Sequence, residues 1–439
     1  MTSLCSSSRW TTACLVVAVL LAGIGVGSSA PSAAAVEATF WSAPNPTQEV
    51  FWREMAQAFM RERPDIRIDV RAMVESPSSE ATILTAIAGG TAPAGSENIF
   101  IGFGAQLYES GALVPLDTLP GWDQIIRARG MEEAIEGWRF PDGHFYILPI
   151  YSNAMLFGWR IDVLRELGYA EPPRTYSEVF AVGQRLRQAR PRSFLMARAE
   201  LLDPTWWQRW FDFFMLYYAA SQGAPFVVGQ DVTADREAAV GVFRFYQELN
   251  RRNLILTRTS TDPFPTGLSI WADIGPWTFP DWKERFPEMR LGETFALSPP
   301  PVPDGYPAGE PIRTFADAKG LVLYAQAPKE QRDAVWEFIR WVFTRPESDL
   351  RWLEATSLPP VRGDLATSPV FSGYLRQHPE LVPYAEALPY AVPPFASPRV
   401  TDVQTALGEA GLVPAVRGTK TPEQAWEDAR AAMEAVLRR

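Results

Sequence analysis

Tyr146-Ile-Leu-Pro-Ile-Tyr-Ser-Asn-Ala-Met-Leu-Phe-Gly-Trp159 is the most consequential run in the chain. It is apolar almost throughout and rich in aromatic and β-branched residues. Such a run reads as a strand region buried on both faces, not as an alternating strand with one wet side. Its length is enough to leave one sheet and enter another, so two sheet-centred bodies are expected to share it.

The segment before it alternates strand and helix. Ala38–Trp41 reads as a strand, and Gln48–Arg63 as a helix with Val50, Phe51, Met55, Phe59 and Met60 on a helical period, closed by Pro64. Ile66–Val70 alternates as a strand again, and a strand-helix-strand unit implies a parallel sheet. Ser79–Ala88 reads as a helix ended by Gly89-Gly90, Asn98–Gly102 as the next strand, and Gln106–Ser110 as a helix ended by Gly111.

Beyond the long run the alternation resumes. Ile161–Leu167 reads as a helix stopped by Gly168, and Thr175 with Glu178 fits a capping box opening a helix to about Arg190. Asp203-Pro204 is expected to cap a helix through Ala220, with another over Ala234–Asn250. The apolar run Leu268-Ser-Ile-Trp-Ala-Asp-Ile274 stops at Gly275-Pro276, which leaves Trp277 just past the strand end. Ser298–Pro311 is Pro-rich and linker-like. Lys319–Tyr324 follows as a strand, Lys329–Thr344 as an amphipathic helix ended by Arg345-Pro346, and Thr421-Pro-Glu-Gln424 opens the last helix. No fixed-period repeat is visible, which excludes solenoids and propellers.

Residues 1–35 read as a cleaved signal peptide: Arg9 near the start, an uncharged apolar run over Ala13–Gly27, and Ala33-Ala34-Ala35 before a new N-terminus at Val36. Ile24 stands where a lipidated Cys would be, so no lipid anchor is expected. Both cysteines, Cys5 and Cys14, lie in this leader, and the exported chain is expected to rely on its core instead of disulfides. With 41 Lys and Arg against 51 Asp and Glu the formal net charge is −10, which argues against nucleic acid or anionic lipid as partner.

The same inventory narrows the chemistry. His144 and His378 are the only histidines. With no cysteine beside them there is no zinc-type cluster and little room for a Ser/His/Asp triad. Gly-x-Ser-x-Gly and the phosphate-cradling Gly-x-x-x-x-Gly-Lys motif are absent. Gly102-Phe103-Gly104 lacks the third glycine of a dinucleotide loop, with Leu107 in its place, and reads as a strand-to-helix turn. Neither metal nor cofactor is expected, and the chain is not read as an enzyme.

The order of segments resembles one family. Asn98-Ile-Phe-Ile-Gly-Phe-Gly through Leu113-Val-Pro-Leu116, the crossover Leu148–Phe157 followed by Pro172–Tyr176, the turn Gly275-Pro276-Trp277, Ala334–Ile339 with Ser357-Leu-Pro-Pro-Val-Arg362, and Thr421–Ala425 after Gly418 are together similar to bacterial extracellular solute-binding proteins of the maltose-binding type. These are the capture subunits of ABC sugar importers. The resemblance implies an α/β fold of two lobes, the type II periplasmic-binding-protein or Venus-flytrap architecture, each lobe a central sheet flanked by helices. It places the lobes at 36–147 plus 315–346 and at 148–314 plus 347–439. It further implies a periplasmic or secreted monomer that grips a carbohydrate between its lobes and delivers it to the permease subunits. Two places depart from the family pattern: Pro44-Asn45-Pro46-Thr47 replaces a ligand-contacting charged pair after the first strand, and Thr401-Asp402-Val403-Gln404 stands where maltose binders carry another aromatic.

Each candidate ligand contact has a second, structural reading. Trp277 on its Gly275-Pro turn offers an indole face to a sugar ring, or else packs at a domain seam. Trp41 ends a strand where open α/β sheets bind ligands, or is core. Tyr151, Ser152 and Asn153 on the crossover offer polar groups to hydroxyls, or shape the hinge. In the aromatic run Trp206–Tyr217, Trp210, Phe213, Phe214 and Tyr217 share one helical face and read as packing, so only Trp206 and Trp207 are candidates. Asp273 and Asp317 accept paired hydroxyl bonds and Arg362 donates a fork, unless they are solvated charges. Glu49, beside Gln48 at the first helix start, completes the set. Two other functions stay open: a binder of a phosphorylated polyol using Arg362, Arg313 and helix N-termini, and a secreted glycoside hydrolase using Asp273 and Asp317 as its two carboxylates.

Overall fold

The computed structural model describes residues 35–74, 78–132, 134–365, 367–395 and 397–439. The expected leader and its lipid-box position therefore lie outside the described residues, apart from Ala35.

The chain opens with strand β1 (Val36–Ser42), helix α1 (Pro46–Glu62) and strand β2 (Ile66–Ala72). Asn45 starts α1: its side-chain oxygen accepts the Thr47 N–H at 2.9 Å, and Pro46 occupies the first turn, where a missing N–H is harmless. The strands pair in parallel from Val36 opposite Ile66 to Ser42 opposite Ala72, as the strand-helix-strand pattern predicts. α1 buries Phe51, Trp52, Ala56 and Phe59, and Trp52 meets Phe40 at 4.7 Å between ring centroids. Each such ring contributes about 2–3 kcal/mol by leaving water.

α2 (Ser79–Ala88) matches the expected span. The next strand does not: β3 covers Gly95–Ile99, and α3 already begins at Ile101 and runs to Glu109. Asn98 takes a positive φ of 69°, a conformation its short polar side chain tolerates, and the strand ends one residue later, at Ile99. Gly102 and Gly104, expected in a strand-to-helix turn, instead sit buried within α3 itself, because the helix starts five residues before the expected Gln106.

The long apolar run becomes β4 (Leu148–Ala154) and β5 (Leu156–Trp159). Two short ladders follow, β6 (Met196–Ala197) with β9 (Ile255–Leu256), and β7 (Val227–Val228) with β8 (Asp231–Val232). β10 (Trp271–Ile274), β11 (Ala296–Ser298), β12 (Thr314–Leu323) and β13 (Ala391–Val392) complete the strands. β4 pairs antiparallel with β12, while β5 lies between β10 and β11. The larger sheet runs β13-β12-β3-β1-β2 with β4 also on β12, and the smaller one β10-β5-β11. The run thus changes sheets at Met155, whose N–H donates to Phe315 at 2.8 Å and whose carbonyl accepts the Thr314 hydroxyl at 2.6 Å.

The helix expected over Asp203–Ala220 is a correction. Short 3-10 turns at Glu200–Leu202 and Arg209–Phe211 come first, and the α-helix covers only Phe213–Ala220. The cause is Arg209, fully buried. Its guanidinium donates to the carbonyls of Asp203 at 2.6 Å and Glu200 at 3.3 Å and pairs with Asp212 at 3.0 Å. Asp212 in turn accepts the Phe213 N–H at 2.6 Å and starts the helix there. Trp210, Phe213, Phe214 and Tyr217 are all buried, as their spacing predicts. The capping box read from sequence, Thr175 with Glu178, is formed, and the last helix, expected to open at Thr421, carries a second one between Thr421 and Gln424.

Candidate functional site

A cavity of about 250 Å³ opens beyond the C-terminal ends of β1 and β3, the edge at which open α/β sheets bind ligands. Each wall has a local cause. Pro44, Asn45 and Gln48 reach it from the start of α1, and Asn98, left-handed, from one residue before the end of β3. β4 supplies Tyr151, β12 supplies Asp317 and Lys319, and the 3-10 turn forced by Arg209 supplies Phe211.

Trp277 closes the remaining side, just past β10, with its ring folded over Gly275. A Cβ on Gly275 would lie 2.2 Å from the indole, so only glycine permits this pose. Phe211 meets the indole edge-on at 6.3 Å.

The polar groups are unevenly satisfied. Lys319 donates to the Asn98 side-chain oxygen at 2.8 Å, and Asn98 donates to Ser79 at 3.2 Å. Asp317, only 8% exposed, accepts no hydrogen bond among the described residues. Burial raises its carboxyl above the usual range while Lys319 pulls it down. Behind it Glu97 is fully buried and accepts the Ala43 N–H at 2.7 Å. Burial pushes this carboxyl up to about 7 against the opposing pull of the Ala43 bond and Lys319.

A second, smaller cavity of about 40 Å³ adjoins the first and shares Phe211, Asp317 and Lys319 with it. Its aromatic lining is paired: Trp207 stacks on Phe100 at 5.9 Å, and Trp210 on Phe315 at 5.3 Å.

Of the expected contacts, Trp277, Tyr151, Asp317 and Trp207 line one cavity or the other. Gly275 acts beneath Trp277. The rest lie elsewhere. Arg362, expected to fork onto a ligand, points its fork inward: it bonds Asp349 at 2.7 Å, Asp364 at 2.8 Å and the Ala128 carbonyl at 2.9 Å. Asp273 is held by Arg198 at 2.7 Å. Glu49 pairs with Arg53 at 2.6 Å, and the Trp206 indole donates to Gln208 at 3.1 Å. Asn153 is buried opposite Asp317 in the β4–β12 register, Ser152 holds Pro359 through its backbone N–H at 3.2 Å, and half-buried Trp41 packs against the core.

These positions weaken both other functions. The fork that would hold a phosphate is occupied by carboxylates, and of Asp273 and Asp317, the pair expected to serve a glycosidase, only Asp317 faces a cavity. Asn98, Phe211 and Lys319 line the cavity but are missing from the expected set. Lys319 was within reach, because residues two apart on a strand share a face and Asp317 was already chosen.

Comparison with known proteins agrees with this geometry. Residues 54–379 match the model of a family described as bacterial extracellular solute-binding protein, and the chain belongs to that family. Among curated relatives, the maltotriose-binding protein of Pyrococcus abyssi is 24% identical over 368 residues, which span 78% of this chain and 72% of the relative. A crystal structure of an uncharacterized protein from Listeria monocytogenes is 46% identical, with a TM-score of 0.79 over 92% of this chain and 100% of the other. The GacH receptor of Streptomyces glaucescens, solved unliganded and with acarbose, is 19% identical, with a TM-score of 0.74 over 92% of this chain and 99% of the receptor. The fold is the two-lobe α/β architecture of these binding proteins, as the resemblance implies. No helix among the described residues is long and apolar enough to cross a membrane.

Proposed function

We propose that this protein captures a carbohydrate in the cleft between its lobes and delivers it to an ABC permease. The observation that carries this reading is that a half-buried indole, Trp277, and the carboxylate of Asp317, which accepts no hydrogen bond among the described residues, line one cavity. An aromatic face covers the apolar side of a sugar ring while polar groups bond its hydroxyls. The names of the relatives, a maltotriose-binding protein and a receptor solved with acarbose, support the same class.

In this reading the lobes are 36–147 plus 315–346 and 148–314 plus 347–439, with the change of sheets at Met155 as the point of crossing. Closure of the lobes onto the sugar shifts the population that the permease recognises. The protein works as an exported, periplasmic or secreted monomer, and it binds rather than cleaves its solute.

Calorimetry over a panel of mono- and oligosaccharides tests the proposal. One or more sugars bind, and Trp277→Ala lowers that affinity by about 10- to 100-fold without lowering the unfolding temperature appreciably. Binding that is indifferent to Trp277, or tight binding of glycerol phosphate with none of the sugars, overturns it.

A further inference from the structure

Asp317 is an unusual group to leave alone. Buried carboxylates are paired or hydrogen-bonded as a rule, yet this one is 8% exposed and, among the described residues, accepts no hydrogen bond and forms no ion pair. Its nearest cation on the strand, Lys319, is turned toward the Asn98 oxygen at 2.8 Å. Among the described residues no group of three His, Cys, Asp or Glu gathers to hold a metal. Asp317 also stands where the two cavities meet and lines both.

The surroundings suit a positive group more than a neutral one. Phe211 and Trp277 flank the larger cavity, and Trp207, Trp210 and Phe315 flank the smaller. Ring faces attract an ammonium and repel carboxylates and phosphates. Glu80 lines the smaller cavity as well, so two carboxylates face one lysine across the pair. At about 40 Å³ the smaller cavity holds a substituent, since one water already occupies roughly 10–15 Å³ on this measure. The larger one, at about 250 Å³, takes the ring.

We propose that the solute is a carbohydrate bearing a protonated amine, and that Asp317 is the group that selects it by forming a charge-assisted bond to that nitrogen. This rests on the reading of the cleft as a sugar site. Charge-assisted bonds are roughly twice as strong as neutral ones, so the amine is discriminated from a hydroxyl at the same position.

Calorimetry at neutral pH tests it, using mono- to trisaccharides of glucosamine with α-1,4 and β-1,4 linkage, their N-acetylated forms and the matching glucose oligomers. The free amines bind about 10- to 100-fold tighter than the acetylated and neutral forms. Asp317→Asn abolishes that preference: the free amines lose at least about 10-fold more affinity than the acetylated and neutral forms do. Without ligand the same variant melts at or above the wild-type temperature, because it removes an unpaired buried charge. Equal or tighter binding of neutral sugars overturns the amine inference and leaves the sugar reading standing. A folded protein that binds no carbohydrate of either kind overturns both. Retained amine preference in Asp317→Asn overturns the role of that residue.

Discussion

Glu97 sits in the middle of β3 with one carboxyl oxygen on the Ala43 N–H and its other oxygen without a hydrogen bond among the described residues. It ordinarily ionises near 4.5, and burial raises this to about 7 in the folded protein. As pH climbs from 4.5 the unfolded chain loses this proton first, so the folded state loses stability through the window up to about 7. The loss totals about 3 kcal/mol. Glu97→Gln keeps the bond to Ala43 and cannot ionise. Urea unfolding between pH 4.5 and 8 is expected to show the variant gaining on wild type by that amount as pH rises, and a difference that stays constant would contradict the assigned burial. Lys319 and Asp317 show how far residues are legible alone. Their spacing puts them on one face, but nothing in Asp-Ala-Lys shows that the lysine is bonded to Asn98 while the aspartate accepts no hydrogen bond among the described residues.

At the scale of elements, β12 carries the most weight, since β3, β4 and β13 all pair with it. It is longer than the expected Lys319–Tyr324, beginning at Thr314, because Asp317 and Lys319 break the apolar pattern that marks a buried strand. Gly320 allows β4 to lie close: a Cβ there would stand 2.4 Å from the Leu148 carbonyl oxygen and 2.5 Å from Ile147. Gly320→Ala is therefore expected to push β4 off its register and to destabilise the protein by about 2–4 kcal/mol. A chemical denaturation midpoint unchanged from wild type would show that the sheet absorbs the methyl. By contrast, Thr175→Ala removes only a helix cap and is expected to cost about 1 kcal/mol, measured in the same way. Helix caps of this kind were readable because they depend on three or four consecutive residues.

Across the whole molecule one buried network ties distant segments together. Arg129 and Asp349, both fully buried, pair at 3.0 Å, Arg362 joins Asp349 at 2.7 Å, and Arg129 also donates to the Pro149 and Ile150 carbonyls at 2.8 and 2.9 Å. The network thus fastens helix Trp122–Arg129 and helix Pro346–Thr356 to β4, the strand that leads into the crossing. Asp349→Ala leaves two guanidiniums without their shared anion and is expected to cost about 3–5 kcal/mol. Loss of less than about 1 kcal/mol in urea unfolding would mean that the backbone carbonyls and Asp364 suffice.

Elements and their order were present in the chain itself. The apolar period of α1, the uninterrupted run over Tyr146–Trp159, the capping box of Thr175 with Glu178 and the Gly275-Pro276 turn act through sterics and hydrogen bonds between near neighbours, and they survive in the fold almost as read. The cleft could not be read that way. Arg362 was drawn into the protein by Asp349, Asp273 was claimed by Arg198, and Phe211 was swung to the cavity by a turn that buried Arg209 imposes. A charge is settled by whichever partner burial brings within about 3 Å: Arg198 lies 75 residues from Asp273, and where the partners are near in sequence, as Asp349 and Asp364 are to Arg362, no local pattern tells that the group is turned into the core.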